Sequence, residues 1–447
     1  MMTPHKSAWL LAALLLQSGC VTAYHRPETA LPARYAHAPA VQTVPGPDGR
    51  WWRAFGDPQL DDLVDKALAT NRGLASAALA VRNAELLAGI DRMNRLPTVS
   101  GGLSASHTEH VSSYTADLSV SYDVDLWRRL ASAAAASQWE ARATAEDREA
   151  VRLALIGAVL NLYWDTGYTR QQIATGEATL AYQRRVLELV TTQYRLGAVS
   201  GVERAEATQV VTQQIAALTL QRQHLVEDRA AMALLLGEAA TTGSDELATL
   251  PERALPEIQP GVPARLLSRR PDVKAAELRL RKTLALGDAT RAELYPDLSL
   301  TGSGTATSTE LGRLFSHPMA AVLGALTLPF LDYPHHRLND RVAETNYAVA
   351  VLGFKTTLFQ ALRDVDNTLS NRSELAAQGV ALQGTLTSAQ TAARLYGLRY
   401  NTGAVALRIW LDAQQSARTA ETAHQNNRLA QLQNQTALYQ ALGGGAE

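Results

Sequence analysis

The sequence predicts a mainly helical, internally duplicated chain in which each half contributes two strands of membrane-spanning length and one long helical hairpin. Three observations carry this. Tyr194-Arg195-Leu196-Gly197-Ala198-Val199 returns as Tyr400-Asn401-Thr402-Gly403-Ala404-Val405, and Leu236-Gly237 returns as Leu442-Gly443, both 206 residues later. A period near 200 is far beyond the roughly 20–50 residues of solenoid repeats, so it marks a duplicated half-molecule. No proline lies between Pro97 and Pro251 or after Pro334, so both hairpin segments are free of the strongest helix breaker. Between these features, residues 117–126 alternate strictly between polar and apolar, the period-2 signature of a strand.

The chain opens with a secretory signal pattern, residues 1–19. Lys6 supplies a positive start, and Ala8 to Leu16 form an apolar run of nine residues, too short to span a bilayer. Gln17-Ser18-Gly19-Cys20 follows. Small residues directly before a cysteine resemble the lipobox of bacterial lipoproteins, which implies that Cys20 is acylated and becomes the mature N-terminus. Gln17 departs from the aliphatic residue usual there, and Val21 in place of Asp favours sorting to the outer membrane. Residues 20–50 then read as a lipidated tether, Pro-, Ala- and Gly-rich from residue 27 on, with order expected to begin at Trp51.

Asp57 and Pro58 form a helix start, cap followed by first-turn proline. Leu60, Leu63, Val64, Ala67 and Leu68 make one apolar stripe at helical spacing. A second helix is expected over about 72–95. Past Pro97 the period changes from 3.6 to 2, with strands expected at about 98–107 and 116–126, then 297–305 and 320–330. In the clearest of them Leu118, Val120, Tyr122, Val124 and Leu126 face one way, and Asp117, Ser119, Ser121, Asp123 and Asp125 the other. About ten residues is the length a tilted transmembrane strand needs, so the polar set is assigned to a barrel lumen. Four strands cannot close a barrel, for which about eight is the minimum, and an open edge in lipid leaves backbone groups unpaired. Chains must therefore share one barrel; three would supply twelve strands.

The helical segment from about Arg128 to Tyr194 is rich in Ala, Gln, Glu and Arg, all good helix formers. At ~1.5 Å per residue it would reach on the order of 100 Å, as a coiled-coil rod or tunnel wall does. The chain turns at Gly197 and returns to Leu236; the second hairpin, about 336–400 and 405–442, repeats this. The two repeats are placed at 51–250 and 251–447.

These landmarks resemble the TolC-type outer-membrane factors, within them the lipoprotein branch that serves multidrug efflux. The residues that carry the likeness are Trp51-Trp52-Arg53 with Phe55-Gly56-Asp57-Pro58, Ser121-Tyr122-Asp123-Val124-Asp125-Leu126-Trp127, Leu266-Leu267-Ser268-Arg269-Arg270-Pro271-Asp272-Val273, Tyr295-Pro296, and the two Tyr-x-x-Gly tips. Arg128, where glycine often follows, and Leu331-Asp332-Tyr333-Pro334, where the family usually has a glycine-containing turn, depart from the pattern. The resemblance implies a homotrimer with a twelve-stranded barrel in outer-membrane lipid and a twelve-helix periplasmic tunnel. It implies a passive duct fed by an inner-membrane RND-type pump through a periplasmic adaptor docked on the tips. Tyr194, Gly197, Ser200, Tyr400 and Gly403 are then the candidate adaptor contacts, with Ser200 replaced by Ala406 in the second tip. Counting six and nine residues past each tip glycine places Glu203 and Glu206 in the first copy and Ile409 and Asp412 in the second. Asp412 matches a family gate acid and Ile409 replaces another, so these four are the candidate periplasmic gate.

Other chemistry is poorly represented. Net charge is −1 with signs mixed, so there is no basic footprint for nucleic acid. One cysteine excludes an internal disulfide framework. No phosphate loop, nucleophile elbow or zinc helix motif is present; His107, Glu109 and His110 lack further ligands, and His335-His336 reads as a solvated start to a helix. The reading is a non-enzyme whose one covalent group is the lipid on Cys20. Two alternatives share part of the pattern: the exit channel of a type I protein-secretion system, and a lipid-anchored coiled-coil scaffold without a channel. A scaffold has no use for the acid-lined face at 117–125.

Overall fold

The computed structural model describes residues 22–38, 49–109, 111–239, 246–258 and 263–444; the signal segment, Cys20 and His110 lie outside them. Helix α1 (Pro58–Thr70) and α2 (Arg72–Met93) lead to β1 (Thr98–His107) and β2 (Ser112–Val124), then to the hairpin α3 (Arg129–Arg195) and α4 (Gly201–Leu235). After a single turn at Leu266–Arg269, α5 (Pro271–Ala292), β3 (Asp297–Ser308), β4 (Met319–Thr327) and the hairpin α6 (Tyr333–Asn401) and α7 (Leu407–Ala441) repeat that order. The duplication is exact where it matters most: Arg195 and Asn401, Gly201 and Leu407, and Leu235 and Ala441 are each 206 apart.

Both hairpin turns close in the same way. Gly197 and Gly403 each have φ +74°, and Gly197 N donates to Tyr194 O (3.0 Å) while Ala198 N donates to Gln193 O (2.9 Å). Gly403 N to Tyr400 O (2.9 Å) and Ala404 N to Arg399 O (2.8 Å) repeat the pattern. This is the Schellman closure, in which a left-handed residue satisfies the last helical carbonyls. Asp57 caps α1 as expected, accepting from Gln59 N at 3.1 Å and Leu60 N at 3.4 Å.

Two compact units divide the chain, and they do not follow the repeats 51–250 and 251–447: each takes segments from both. Among the described residues, one comprises those up to Ala30, Ala77–Arg148 and Pro271–Leu358; the other those within Leu31–Ser76, Glu149–Arg270 and from Phe359 on.

The first unit holds the sheet, antiparallel in the order β1-β2-β3-β4, with β1 and β4 as edges. Register sorts its faces. Val120 lies opposite Val99, and Leu118 opposite Gly101 and Gly304; on the other face Ser121 lies opposite Thr98 and Thr301, and Asp117 opposite Gly102 and Thr305. Ser121 Oγ and Thr301 Oγ1 bond at 3.2 Å. The polar face stops at β4, where Thr305, Ser303 and Thr301 face Met319, Ala321 and Leu323. Apart from Thr327 at its end, β4 therefore carries no polar side chain, and it is exposed along its whole length. The second strand starts at Ser112 and ends at Val124, so Asp125 and Leu126 fall outside it. The fourth ends at Thr327, and Pro329–Asp332 form a 3-10 turn rather than strand.

Beyond β2, Trp127 stacks on Tyr295 (4.8 Å, 24°) and its Nε1 donates to Pro296 O at 3.0 Å. Arg128 stands at φ +63°, alone among the described non-glycine residues in that region. A left-handed side-chain residue costs about 1–2 kcal/mol, a strain that glycine would not carry. Ion pairs Lys274–Glu146 (3.6 Å) and Lys282–Glu140 (3.1 Å) join α5 to α3.

In the same unit the tether expectation needs correction. Order begins well before Trp51: Thr22, Tyr24 and Arg26 are hydrogen-bonded to Asp288 and Glu277 of α5. In the second unit Tyr35 is buried and Ala36 N donates to Asp366 Oδ1 at 2.9 Å. Composition hid this because the partners lie more than 250 residues away.

The second unit has an aromatic core. Trp51 and Trp52 are buried, Trp51 stacks on Tyr439 (4.8 Å, 22°), and Phe55 meets Trp164 at 5.4 Å. Tyr163 OH donates to Asp57 Oδ2 at 3.0 Å. The tryptophan pair thus packs the core, as large amphipathic rings do once burial exceeds what solvent contact offers.

Candidate functional site

The hairpin tips gather most of the residues that the sequence singled out. Behind the turns, Val186 and Val190 of α3, Ala207 of α4, and Leu407, Trp410 and Leu411 of α7 form one buried cluster, flanked by Tyr396 and Tyr400 of α6. Trp410 is its centre. Its indole stacks on Tyr400 (5.1 Å, 22°) and meets Tyr182 edge-on at 6.1 Å. Gly397 makes room for it: a Cβ there would stand 2.9 Å from Trp410 Nε1. Tyr400 OH donates to Gln193 Oε1 at 3.2 Å, and Gln414 Nε2 donates to Tyr182 OH at 3.1 Å. The two hairpins of one chain are therefore joined at the tips by rings and by single hydrogen bonds. Trp410 was missed in the sequence reading, although Leu407, Trp410 and Leu411 form a helical i, i+3, i+4 stripe.

The tips differ in their caps. Ser200 Oγ accepts from Val202 N at 3.1 Å, and Glu203 Oε2 accepts from Ser200 N at 2.9 Å and from Ser200 Oγ, completing a capping box. The Ser200 hydroxyl beside it holds the Glu203 carboxyl below the usual carboxylate range. Glu203, one of the four candidate gate residues, also caps the helix start, a role the S-x-x-E spacing itself announces. Ala406, the corresponding cap of α7, makes no side-chain bond. Tyr194 is exposed, with the Arg204 guanidinium 4.6 Å above its ring, whereas Tyr400 is half-buried.

Ile409 and Asp412 lie on the exposed side of α7, away from Trp410 and Leu411. The Asp412 carboxylate is 74% exposed and stands 3.9 Å from Arg408 Nε. A solvated i,i+4 pair of this kind contributes little to stability. Any ring built from Asp412 therefore carries Arg408 beside each acid, a cation the sequence reading left out. Glu206, half-exposed on α4, has no ion pair among the described residues.

On the sheet, Asp117 and Asp123 are exposed, and Ser119 and Ser121 share their face. Asp125 needs correction. It lies past the strand, and its carboxylate accepts from Leu130 N (3.0 Å) and Ala131 N (2.7 Å). An acid at a helix N-terminus satisfies free amides and the helix dipole; alternation alone had placed it on the lumen face.

Between tips and aromatic core, the second unit carries a polar seam. Gln172 Nε2 donates to Gln425 Oε1 (2.6 Å), Gln433 Nε2 to Asp165 Oδ1 (2.9 Å), and Thr169 Oγ1 to Asp228 Oδ2 (3.0 Å). A cavity of ≈ 390 Å³ opens beside it, lined by Thr179, Gln214, Gln415, Arg418 and Glu421 among others. Burial, then the nearby Asp228, push Asp165 up to about 6 from 3.8. The folded chain then holds a proton that the unfolded chain has released between about pH 4 and 6, so stability falls as pH rises through that window. Asp165→Asn keeps an acceptor for Gln433 and should flatten the dependence, about 3 kcal/mol from the shift alone and on the order of 2 kcal/mol once solvent screening of the partly exposed carboxyl is discounted. Thermal dissociation profiles of both proteins at pH 4 and 7 check it; parallel profiles would discard the assignment.

No group of three or more His, Cys, Asp or Glu residues that could hold a metal occurs among the described residues.

Comparison with known proteins completes the picture. The family profile described as Outer membrane efflux protein matches residues 63–238 and 262–444. The pyoverdine export outer membrane protein OpmQ of Pseudomonas putida is 31% identical over 434 residues, covering 93% of this chain and 92% of that one. The probable outer membrane lipoprotein SilC of Salmonella typhimurium is 27% identical over 454 residues, 97% and 98% of the two chains. The MtrE outer membrane channel of Neisseria gonorrhoeae, solved in its open state, superposes with a TM-score of 0.84 at 26% identity, covering 95% of this chain and 98% of that one. With two membrane-length strand pairs, two hairpins in a 206-residue repeat and a profile match over most of its length, this chain belongs to the outer membrane efflux protein family.

Proposed function

We propose that the protein is the outer-membrane exit duct of a tripartite efflux pump, passively conducting small toxic compounds delivered by a periplasmic adaptor and an inner-membrane RND-type pump. The observation that carries this is the four-stranded sheet: one face apolar, two edges open, and too few strands to close. In lipid such edges must be paired, and three copies supply a twelve-stranded barrel. Helix α2 supports association, because Leu79, Leu86, Leu87 and Ile90 are all exposed on it in the single chain. Acylation of Cys20 anchors each copy. No bond is broken; the energy belongs to the pump. Tyr194, Gly197, Ser200, Tyr400 and Gly403 are the surface offered to the adaptor, and Asp412, Ile409, Glu203 and Glu206 are the gate residues, with Arg408 beside Asp412.

Channel recordings test this reading. Purified protein should be trimeric in detergent and conduct in planar bilayers with a cation preference. Asp412→Ala removes the acid and leaves Arg408 unpaired, so selectivity should move toward anions, because a confined ring of charge is poorly screened. Ile409→Ala should raise conductance without changing selectivity. A monodisperse, non-conducting monomer would overturn the duct; wild-type selectivity in Asp412→Ala would place the constriction elsewhere.

A further inference from the structure

The N-terminal segment that follows the lipidation cysteine is bound along α5 by two buried carboxylates and the arginines beside them. Glu277 and Asp288 are 6% and 4% exposed. Asp288 accepts from Thr22 N (3.1 Å) and Thr22 Oγ1 (2.7 Å), and Arg291 Nη2 reaches Thr22 Oγ1 at 2.9 Å. Glu277 receives Tyr24 OH (3.2 Å) and both Arg26 Nε (3.2 Å) and Nη2 (2.8 Å). The Arg281 guanidinium lies 4.4 Å from the Tyr24 ring centre and 3.0 Å from Glu277 Oε1. Residues 22, 24 and 26 alternate along an extended chain, while 277, 281, 288 and 291 repeat along one face of the helix. The lengths agree: four extended residues span about 13 Å, and the eleven helical residues from Glu277 to Asp288 rise about 16 Å.

Direction is what gives the clamp meaning. Thr22 pairs with Asp288 near the C-terminal end of α5, and Arg26 with Glu277 near its start, so the strap runs antiparallel to the helix. Its N-terminal end points toward the origin of β3, which begins at Asp297, five residues after α5 ends. Cys20 precedes Thr22 by two residues, a reach of about 7 Å at most. From Asp288 to the helix end is about 6 Å.

We propose that Glu277 and Asp288 are positioning residues for the lipid anchor: the clamped strap holds the acylated N-terminus at a set height beside the base of the barrel, so that lipid and strands enter the membrane in register. This rests on the reading of Cys20 as the acylated residue. Burial works against ionised Glu277, but the Arg26 and Arg281 bonds outweigh it and hold the carboxyl below its ordinary value. Removing one side of the clamp leaves a buried group unpaired. A slack tether would need none of it.

The test compares three full-length proteins: wild type, the isosteric double variant Glu277→Gln/Asp288→Asn, and a chain with six Gly/Ser residues inserted between Val21 and Thr22. Spin labels on Ala23→Cys and Leu286→Cys should report one narrow distance in wild type and in the insertion chain, and a broad distribution in the double variant. All three should incorporate palmitate equally. Heat-resistant trimer formed after a pulse label should fall about threefold to tenfold in both altered chains, because either change lowers the effective concentration of the barrel base at the membrane. The insertion chain leaves the clamp intact, so its loss would not be a folding defect. Equal trimer formation in wild type and the insertion chain overturns the register, as does a broad wild-type distance. Unlabelled wild type would instead show that the Cys20 reading has failed, and the proposal with it.

Discussion

Trp410→Ala is expected to loosen the hairpin tips and abolish efflux while trimers still assemble. The indole is 7% exposed and is the largest member of the tip cluster, with contacts to Tyr400 and Tyr182 on two other helices. Removing a buried tryptophan costs about 3–5 kcal/mol, through lost transfer energy and the cavity left behind. Here that loss is local. The aromatic core around Trp51, Trp164 and Tyr439 does not involve the tip, and the sheet belongs to another compact unit. Amide exchange should therefore accelerate over residues 186–211 and 396–411 and stay at wild-type rates in the sheet. Drug susceptibility should match that of a strain lacking the gene, since the tips proposed to meet the adaptor are no longer held in shape. Trp410→Phe should restore most of both. Wild-type exchange at the tips in Trp410→Ala would refute the cluster's role.

Gly443→Ala and Gly237→Ala should prevent assembly, whereas Gly197→Ala and Gly403→Ala should be tolerated. All four glycines have positive φ, so each substitution carries the left-handed strain of about 1–2 kcal/mol. The difference is space. A Cβ on Gly443 would stand 2.7 Å from Arg269 O and 2.8 Å from Arg269 C, and one on Gly237 would stand 2.6 Å from Thr70 O. Backbone cannot swing aside as a side chain can. Overpacking of this kind adds about 1–3 kcal/mol, for a total of about 2–5 kcal/mol at each site. At Gly197 and Gly403 a Cβ meets nothing within 4 Å. Heat-resistant trimer yield at 37 °C separates the two classes. Equal yields from Gly443→Ala and Gly403→Ala would show that the close approach to Arg269 relaxes at no cost. The repeated Leu-Gly pair, which in sequence is only a marker of the duplication, is thus the more demanding of the two repeated glycine sites.

Much of the architecture was readable before any contact was known. The strand at 98–107 has the same ends in the structure, because Pro97 closes one side and the change of period is abrupt. The hairpin ends agree within three residues, most closely at the turns, because a glycine with a left-handed requirement leaves a local mark. Asp57 followed by Pro58 is equally local. The site residues fared differently. Asp125 belongs to a helix cap, a role that alternation cannot separate from one more step of the strand. Glu203 stands in a capping box whose S-x-x-E spacing was present but subordinate to the count from the tip glycine. Arg408 stood one turn before Asp412 and was overlooked, since exposed pairs leave no pattern beyond their spacing. The strap at 22–26 looked like an extended tether because its partners, Glu277 and Asp288, are distant in the chain.

By itself, then, the sequence determined the repeat, the order of helix and strand, the need for several chains to close a barrel, and the position of each turn. Those follow from short-range physics: proline and glycine conformations, the periods 3.6 and 2, and the count of backbone groups that lipid forbids to stay unpaired. Tertiary structure alone decided which acids are free and which are held, that Trp410 organises the tips, and that the N-terminus is clamped rather than loose. A carboxylate carries the same letter whether it caps a helix, pairs with an arginine or faces water. What distinguishes these cases is the neighbour that burial brings to it, and in the strap that neighbour lies more than 250 residues along the chain.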